Sequence, residues 1–109
     1  MSVAKTKYPK RLKKLLNHLH HHKPEKIYLF GSWARGEGDD LSDIDLVVCM
    51  ESDLPFLERA KNLMNNLPQD IGAVDMLVYT PAEFKQMQRD GNAFTEMILE
   101  EGKLVYARD

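Results

Sequence analysis

Residues 26–45 read Lys-Ile-Tyr-Leu-Phe-Gly-Ser-Trp-Ala-Arg-Gly-Glu-Gly-Asp-Asp-Leu-Ser-Asp-Ile-Asp. The opening apolar run, Ile27 to Phe30, is too short for a helix and rich in strand formers, so it predicts a strand that breaks at Gly31-Ser32. A second apolar run, Leu46 to Met50, follows directly on Asp43 and Asp45. If that run is a strand, side chains alternate. Asp43 and Asp45 then share one face, while Ile44 and Leu46 point to the other.

Like charges held that close resist joint ionisation unless a cation sits between them. Paired oxygen-only donors suit magnesium or manganese, which keep several waters and take the rest of their shell from substrate phosphates. Gly31 lets a backbone approach a phosphate closely, and Ser32 adds a hydroxyl at the next turn. If residues 32–35 open a helix, its free N–H groups aim at the same anion. Arg35, one turn on, is placed to pair with a phosphate in bidentate fashion. The stretch predicts a phosphate grip followed by a metal clamp.

Gly31-Ser32, ten intervening residues and then Asp43-Ile44-Asp45 resemble the signature of the nucleotidyltransferase superfamily that shares the DNA polymerase β palm. The fuller strings, residues 31–36 (Gly-Ser-Trp-Ala-Arg-Gly) and 42–46 (Ser-Asp-Ile-Asp-Leu), resemble its minimal nucleotidyltransferase branch, which includes the antitoxin partners of HEPN-domain toxins. The resemblance covers nearly the whole chain. It implies an α/β nucleotidyltransferase fold, polymerase β palm-like, with a mixed twisted sheet of three to four strands flanked by helices. It also implies a third carboxylate on a strand beside Asp43 and Asp45, the position Asp75 would fill. On that pattern Asp43, Asp45 and Asp75 hold two Mg2+ ions, or Mn2+, and Gly31 and Ser32 steady the β and γ phosphates of ATP or another NTP.

Composition bounds the rest. At 109 residues one domain over 1–109 is expected, with residues 1–8 flexible. A net charge of −2 argues against a general polyanion binder, so direct nucleic-acid binding is not expected. The single cysteine, Cys49, excludes an intramolecular disulfide and fits a reducing cytoplasm. No apolar stretch approaches membrane-spanning length and no signal-peptide pattern opens the chain, so a cytoplasmic protein without membrane contact is expected.

Along the chain, Leu12, Leu15, Leu16 and Leu19 form one apolar stripe over residues 9–22 and predict an amphipathic helix closed by Pro24. Lys10, Arg11, Lys13 and Lys14 fall on its other face and are assigned to solvent. His18, His20, His21 and His22 sit at the helix C-terminus, where His is favourable, and no carboxylate or Cys accompanies them as a metal set. Glu37, Asp39 and Asp40 predict a solvated loop, and Trp33 a packing residue beside the turn. A helix capped by Ser52 or Asp53 is expected next, with Leu54, Leu57, Ala60, Leu63, Met64 and Leu67 as its core stripe and Pro68 as its end. Val74, Met76 and Val78 alternate with Asp75, Leu77 and Tyr79 in a third strand, with Asp75 expected in its apolar centre. Thr80-Pro-Ala-Glu83 is a capping box opening a helix to Arg89. Asp90-Gly91-Asn92 is a turn, Phe94, Met97 and Ile98 mark a last helix ended at Gly102, and residues 103–106 a short strand. Phe84, Met87, Phe94 and Met97 are assigned to the core or to an oligomer or partner surface.

Three functions fit these residues. The resemblance implies nucleotidyl transfer, AMP from ATP onto a hydroxyl of a HEPN-type toxin, a tyrosine of which is the natural acceptor, in a hetero-oligomeric antitoxin pair. A second is an enzyme for a small molecule or RNA end, completed by homo-oligomerisation. A third is a module that neutralises its partner by steric contact. Three converging carboxylates argue against the third, since a pure binder gains nothing from them.

Overall fold

A computed structural model describes residues 8–108, so most of the segment expected to be flexible lies outside the described residues. The element order is α1 (Lys10–His20), β1 (Lys26–Phe30), β2 (Ile44–Cys49), α2 (Phe56–Met64), a 3-10 turn (Gln69–Ile71), β3 (Val74–Tyr79), α3 (Pro81–Arg89), α4 (Ala93–Glu101) and β4 (Lys103–Ala107). The four strands form one sheet in the order β3-β2-β1-β4. β1 runs antiparallel to both β2 and β4, whereas β2 and β3 are parallel, so the sheet is mixed as expected.

Alternation along the strands splits the apolar residues between two layers. Ile27, Leu29, Ile44, Leu46, Val48, Met76 and Val78 face α1 and α2, where Leu12, Leu15, Leu19 and Leu63 complete the larger cluster. Each such aliphatic side chain contributes about 1.5–3 kcal/mol on burial, which is why α1, with no acidic residue in its first turn and no side-chain cap, is held by its leucine stripe. Val47 and Cys49 face the other way and meet Phe84 of α3 and Ile98 of α4, with Tyr28, Phe30, Tyr79, Phe94 and Met97 packed around them. Burial pushes the Cys49 thiol up to about 11, so it behaves as a small apolar side chain. The Thr80–Glu83 capping box is present in full, and α4 is capped by the Asn92 side chain, which accepts from Thr95 N–H.

Four expectations are corrected. α2 starts at Phe56 with Pro55 as its cap, because the Ser52 hydroxyl instead accepts from Leu54 N–H in the preceding turn. It stops at Met64, where Asn65 turns extended and Asn66 adopts φ +64°, before Pro68 is reached. Ala60, Leu63, Met64 and Leu67 of the expected stripe do pack on the core, but the inner face is turned away from Leu54 and Leu57 toward Arg59. Arg59 is buried, Nε donating to Leu54 O at 2.9 Å and Nη1 to Val78 O at 3.2 Å. Leu57, two positions away and hence roughly opposite on the helix, is 76% exposed. A bidentate pair with Glu83, Nη1–Oε1 2.6 Å and Nη2–Oε2 3.1 Å, then locks α2 to the start of α3. Arg11, assigned to solvent, is half-buried and bonded to three carbonyls. Among the described residues, no helix is long and apolar enough to cross a membrane.

Candidate active site

β2 and β3 bring the acidic residues together. Their parallel register sets Asp45 beside Asp75, and the antiparallel register with β1 sets Asp45 beside Phe30, the residue before Gly31. The end of one strand and the acidic starts of two others therefore meet on the sheet face that carries α3 and α4. Gly31 is at φ +77°, a conformation L side chains rarely adopt, and a β-carbon added there would overlap Asp45 Oδ2. Both facts require glycine at that position.

Past Gly31 the chain makes a single turn. Gly31 O accepts from Ala34 N–H at 3.1 Å and from Arg35 N–H at 3.2 Å, and Ser32 O accepts from Glu37 N–H at 2.9 Å. Gly36, at φ +77°, stops it there. The expected helix N-terminus over residues 32–35 is thus one turn of helical geometry without a helix behind it. No helix dipole reinforces this turn. Ser32 is half-buried at its start. Trp33 is buried, 8% exposed, with Nε1 3.5 Å from Ser42 O, and its indole fills the space a β-carbon on Gly38 would need. This is the packing role expected of it. Arg35 is exposed, its Nε 3.1 Å from Glu37 Oε1. Such an exposed pair is worth little, which leaves the guanidinium free to exchange partners. In the acidic loop Asp39 Oδ1 accepts from Leu41 N–H at 2.9 Å and from the Ser42 hydroxyl at 3.2 Å, so Asp39 is spent on the loop itself.

The electrostatics centre on Asp45. Burial first, then the neighbouring Asp75 carboxyl by repulsion and by a shared hydrogen bond, then Asp43, push the Asp45 carboxyl above its ordinary range; the Arg35 charge draws it partly back. Asp75 itself is exposed. The expectation of a buried carboxylate in an apolar strand centre is corrected: Asp75 is exposed at the start of β3 on the α3–α4 face, while Met76 and Val78 are buried on the α1–α2 face. Asp43 is also exposed and stands one residue before β2. Asp45 and Asp75 thus meet directly. Among the described residues, no three carboxyl, imidazole or thiol side chains are arranged to hold a metal ion. Two hard oxygen donors still suit magnesium, which keeps waters and takes phosphate oxygens for the rest of its shell.

The histidines are engaged elsewhere. His18 Nε2 lies 3.1 Å from Leu63 O and His20 Nδ1 3.1 Å from the Tyr106 hydroxyl, tying the end of α1 to α2 and β4. Burial and the neighbouring His18 and His21 hold His22 below the usual imidazole range.

A mixed sheet whose Gly-Ser turn faces carboxylates on two adjacent strands is the arrangement of a nucleotide-transferring palm domain. Residues 10–109 match the family described as Polymerase beta, Nucleotidyltransferase, and the chain belongs to that family. Two solved structures share the fold. One is a toxin–antitoxin crystal structure with AMP-PNP, 22% identical, TM-score 0.59, the match covering 93% of this chain and 76% of that one. The other is a protein from Sulfolobus solfataricus described as a nucleotidyltransferase, 20% identical, TM-score 0.52, covering 96% and 94%. No curated protein matches the chain.

Proposed function

We propose that the chain is a single-domain, cytoplasmic, magnesium-dependent nucleotidyltransferase that moves AMP from ATP onto a hydroxyl of a partner protein, a HEPN-type toxin, and so acts as its antitoxin. The observation that carries the chemistry is the placement of Asp45 beside Asp75, against Gly31 at the mouth of the Gly-Ser turn. Membership of the nucleotidyltransferase family supports the reaction class. A toxin partner and an adenine nucleotide are supported by likeness to a toxin–antitoxin structure with AMP-PNP, and the HEPN type by the sequence resemblance alone.

Magnesium at Asp43, Asp45 and Asp75 would supply charge neutralisation at the attacking and leaving oxygens of an in-line displacement. The chain's own groups do the positioning. The Gly31 backbone and the Ser32 hydroxyl hold the β and γ phosphates. Arg35 exchanges Glu37 for a phosphate oxygen, a stronger and bidentate partner. Asp75, which is exposed, takes the proton of the incoming hydroxyl. The acceptor oxygen bonds to the α-phosphorus, the bond to the bridging oxygen breaks, and pyrophosphate leaves.

The test is to co-express the chain with its chromosomal neighbour, add magnesium and ATP, and weigh both proteins intact. One or more AMP units on the neighbour, absent with Asp43→Ala or Asp45→Ala, are expected. A stable complex without any mass change would replace transfer by steric neutralisation. No complex, with turnover on a small acceptor or RNA end, would replace the protein acceptor.

A further inference from the structure

Arg11 sits on the face of α1 that the sequence assigns to solvent, yet its guanidinium turns inward. Nη1 donates to Ile71 O at 3.1 Å and Ala73 O at 3.3 Å, and Nη2 donates to Ser42 O. These carbonyls belong to the two segments that lead into the acidic strands: Ser42 immediately precedes Asp43, and Ala73 immediately precedes β3, which carries Asp75. Ala73 O also accepts from Ile44 N–H at 3.1 Å, at the point where β2 and β3 first join. Ser42 O also faces Trp33 Nε1 at 3.5 Å, so the Gly-Ser turn is tied to the same carbonyl. Gly72, at φ +80°, lets the backbone close around the guanidinium, and a β-carbon there would stand 3.4 Å from Nη1.

We propose that Arg11 is a positioning residue for the acidic site: by holding the entries of β2 and β3 on one planar fork it sets where Asp43 and Asp75 stand relative to Asp45. The packing of α1 does not require it, because Leu12, Leu15 and Leu19 supply the buried face. Five donors in a fixed plane can serve three carbonyls from two segments at once, and an ammonium cannot reproduce that geometry. The inference rests on the metal-dependent reading above, and the experiment separates the two.

The measurement is Mn2+ binding by electron paramagnetic resonance in wild type, Arg11→Lys, Trp33→Phe and Asp45→Ala, with thermal melts alongside. Wild type is expected to bind Mn2+ in a manner lost in Asp45→Ala. Arg11→Lys is expected to bind about tenfold or more weakly, the usual cost of removing a group that orients ligands. A residue that only stabilises the fold would lower the melting temperature and leave Mn2+ affinity alone, and that result overturns the proposal. If Arg11→Lys fails to fold, Trp33→Phe carries the test. It removes the other donor on Ser42 O, so a smaller loss in the same direction is expected, and wild-type affinity overturns the proposal. Wild type without Asp45-dependent binding would overturn the metal reading itself, and Arg11's role with it.

Discussion

Asp45 Oδ2 occupies the place that a β-carbon on Gly31 would take. The signature glycine is therefore explained twice, by a backbone at φ +77° and by a carboxylate from the next strand pressed against it. Gly36 shares the φ of +77° but has nothing within 4 Å of its would-be β-carbon. The two positions separate backbone strain from site geometry.

Gly36→Ala is expected to cost about 1–2 kcal/mol, the strain of a left-handed alanine, and to leave magnesium-dependent ATP binding near wild type. Gly31→Ala carries the same strain. Because the overlapping atom ends a flexible side chain, Asp45 rotates away instead of unfolding the sheet, and ATP binding falls by about tenfold or more. Urea unfolding and isothermal titration check both. Equal damage to ATP binding in the two variants would remove the Gly31–Asp45 contact from the site.

The raised Asp45 carboxyl sets a pH dependence of definite sign. Over the interval between its ordinary value of 3.8 and the raised one, the native state holds a proton that the unfolded chain releases. Without metal, stability contributed by this group is therefore greatest at low pH and falls as pH rises through that interval. Asp45→Asn is expected to remove this slope and to equal or exceed wild type in stability at pH ~7, while magnesium-dependent ATP binding disappears. If magnesium binds as proposed, its affinity for wild type is expected to weaken on acidification through the same interval, because the proton competes with the cation. Urea titrations across pH with chelator present decide it. A large stability loss in Asp45→Asn would make the carboxylate structural.

Glu83 responds with the opposite sign. The Arg59 hydrogen bonds, then the Thr80 N–H, hold its carboxyl below 4.5, so its contribution is present above that value and is lost as pH falls through the depressed one. Glu83→Gln removes the charge and one of the two carboxylate acceptors, leaving the buried guanidinium one amide oxygen beside the Leu54 and Val78 carbonyls, and is expected to cost about 1–3 kcal/mol at neutral pH. The gap from wild type should narrow in acid, where Glu83 is protonated. A pH-independent difference would mean that the amide's shape, and not its lost charge, is responsible.

The parts legible in the sequence are those fixed by neighbours along the chain. Alternation through Ile44–Cys49 and Val74–Tyr79 gives strands and faces, and Thr80 with Glu83 gives a helix start, because each rests on contacts within a few residues. What escaped depends on residues far apart. The burial of Arg59 is decided by Glu83 and by a carbonyl on β3, and nothing in the local pattern of α2 distinguishes that arginine from a solvated one. Arg11 bonds to carbonyls at Ser42, Ile71 and Ala73, which leave no trace in side-chain identity at all. The site divides the same way. Gly31, Ser32, Asp43 and Asp45 announce themselves by spacing. A carboxylate at Asp75 beside them is implied by the family resemblance alone, and its pairing with Asp45 rests on the parallel register of two strands joined through α2.

Among the described residues, β3 is the outermost strand on its side of the sheet and is hydrogen-bonded to β2 alone within it. One half of the acidic pair thus belongs to the sheet's interior and the other to its margin. Anything that bridges Asp45 and Asp75 acts as a stitch across that seam, so filling the site and keeping the margin attached become one equilibrium. A binding partner that peeled β3 away would part Asp75 from Asp45 from behind, without touching the face on which they meet.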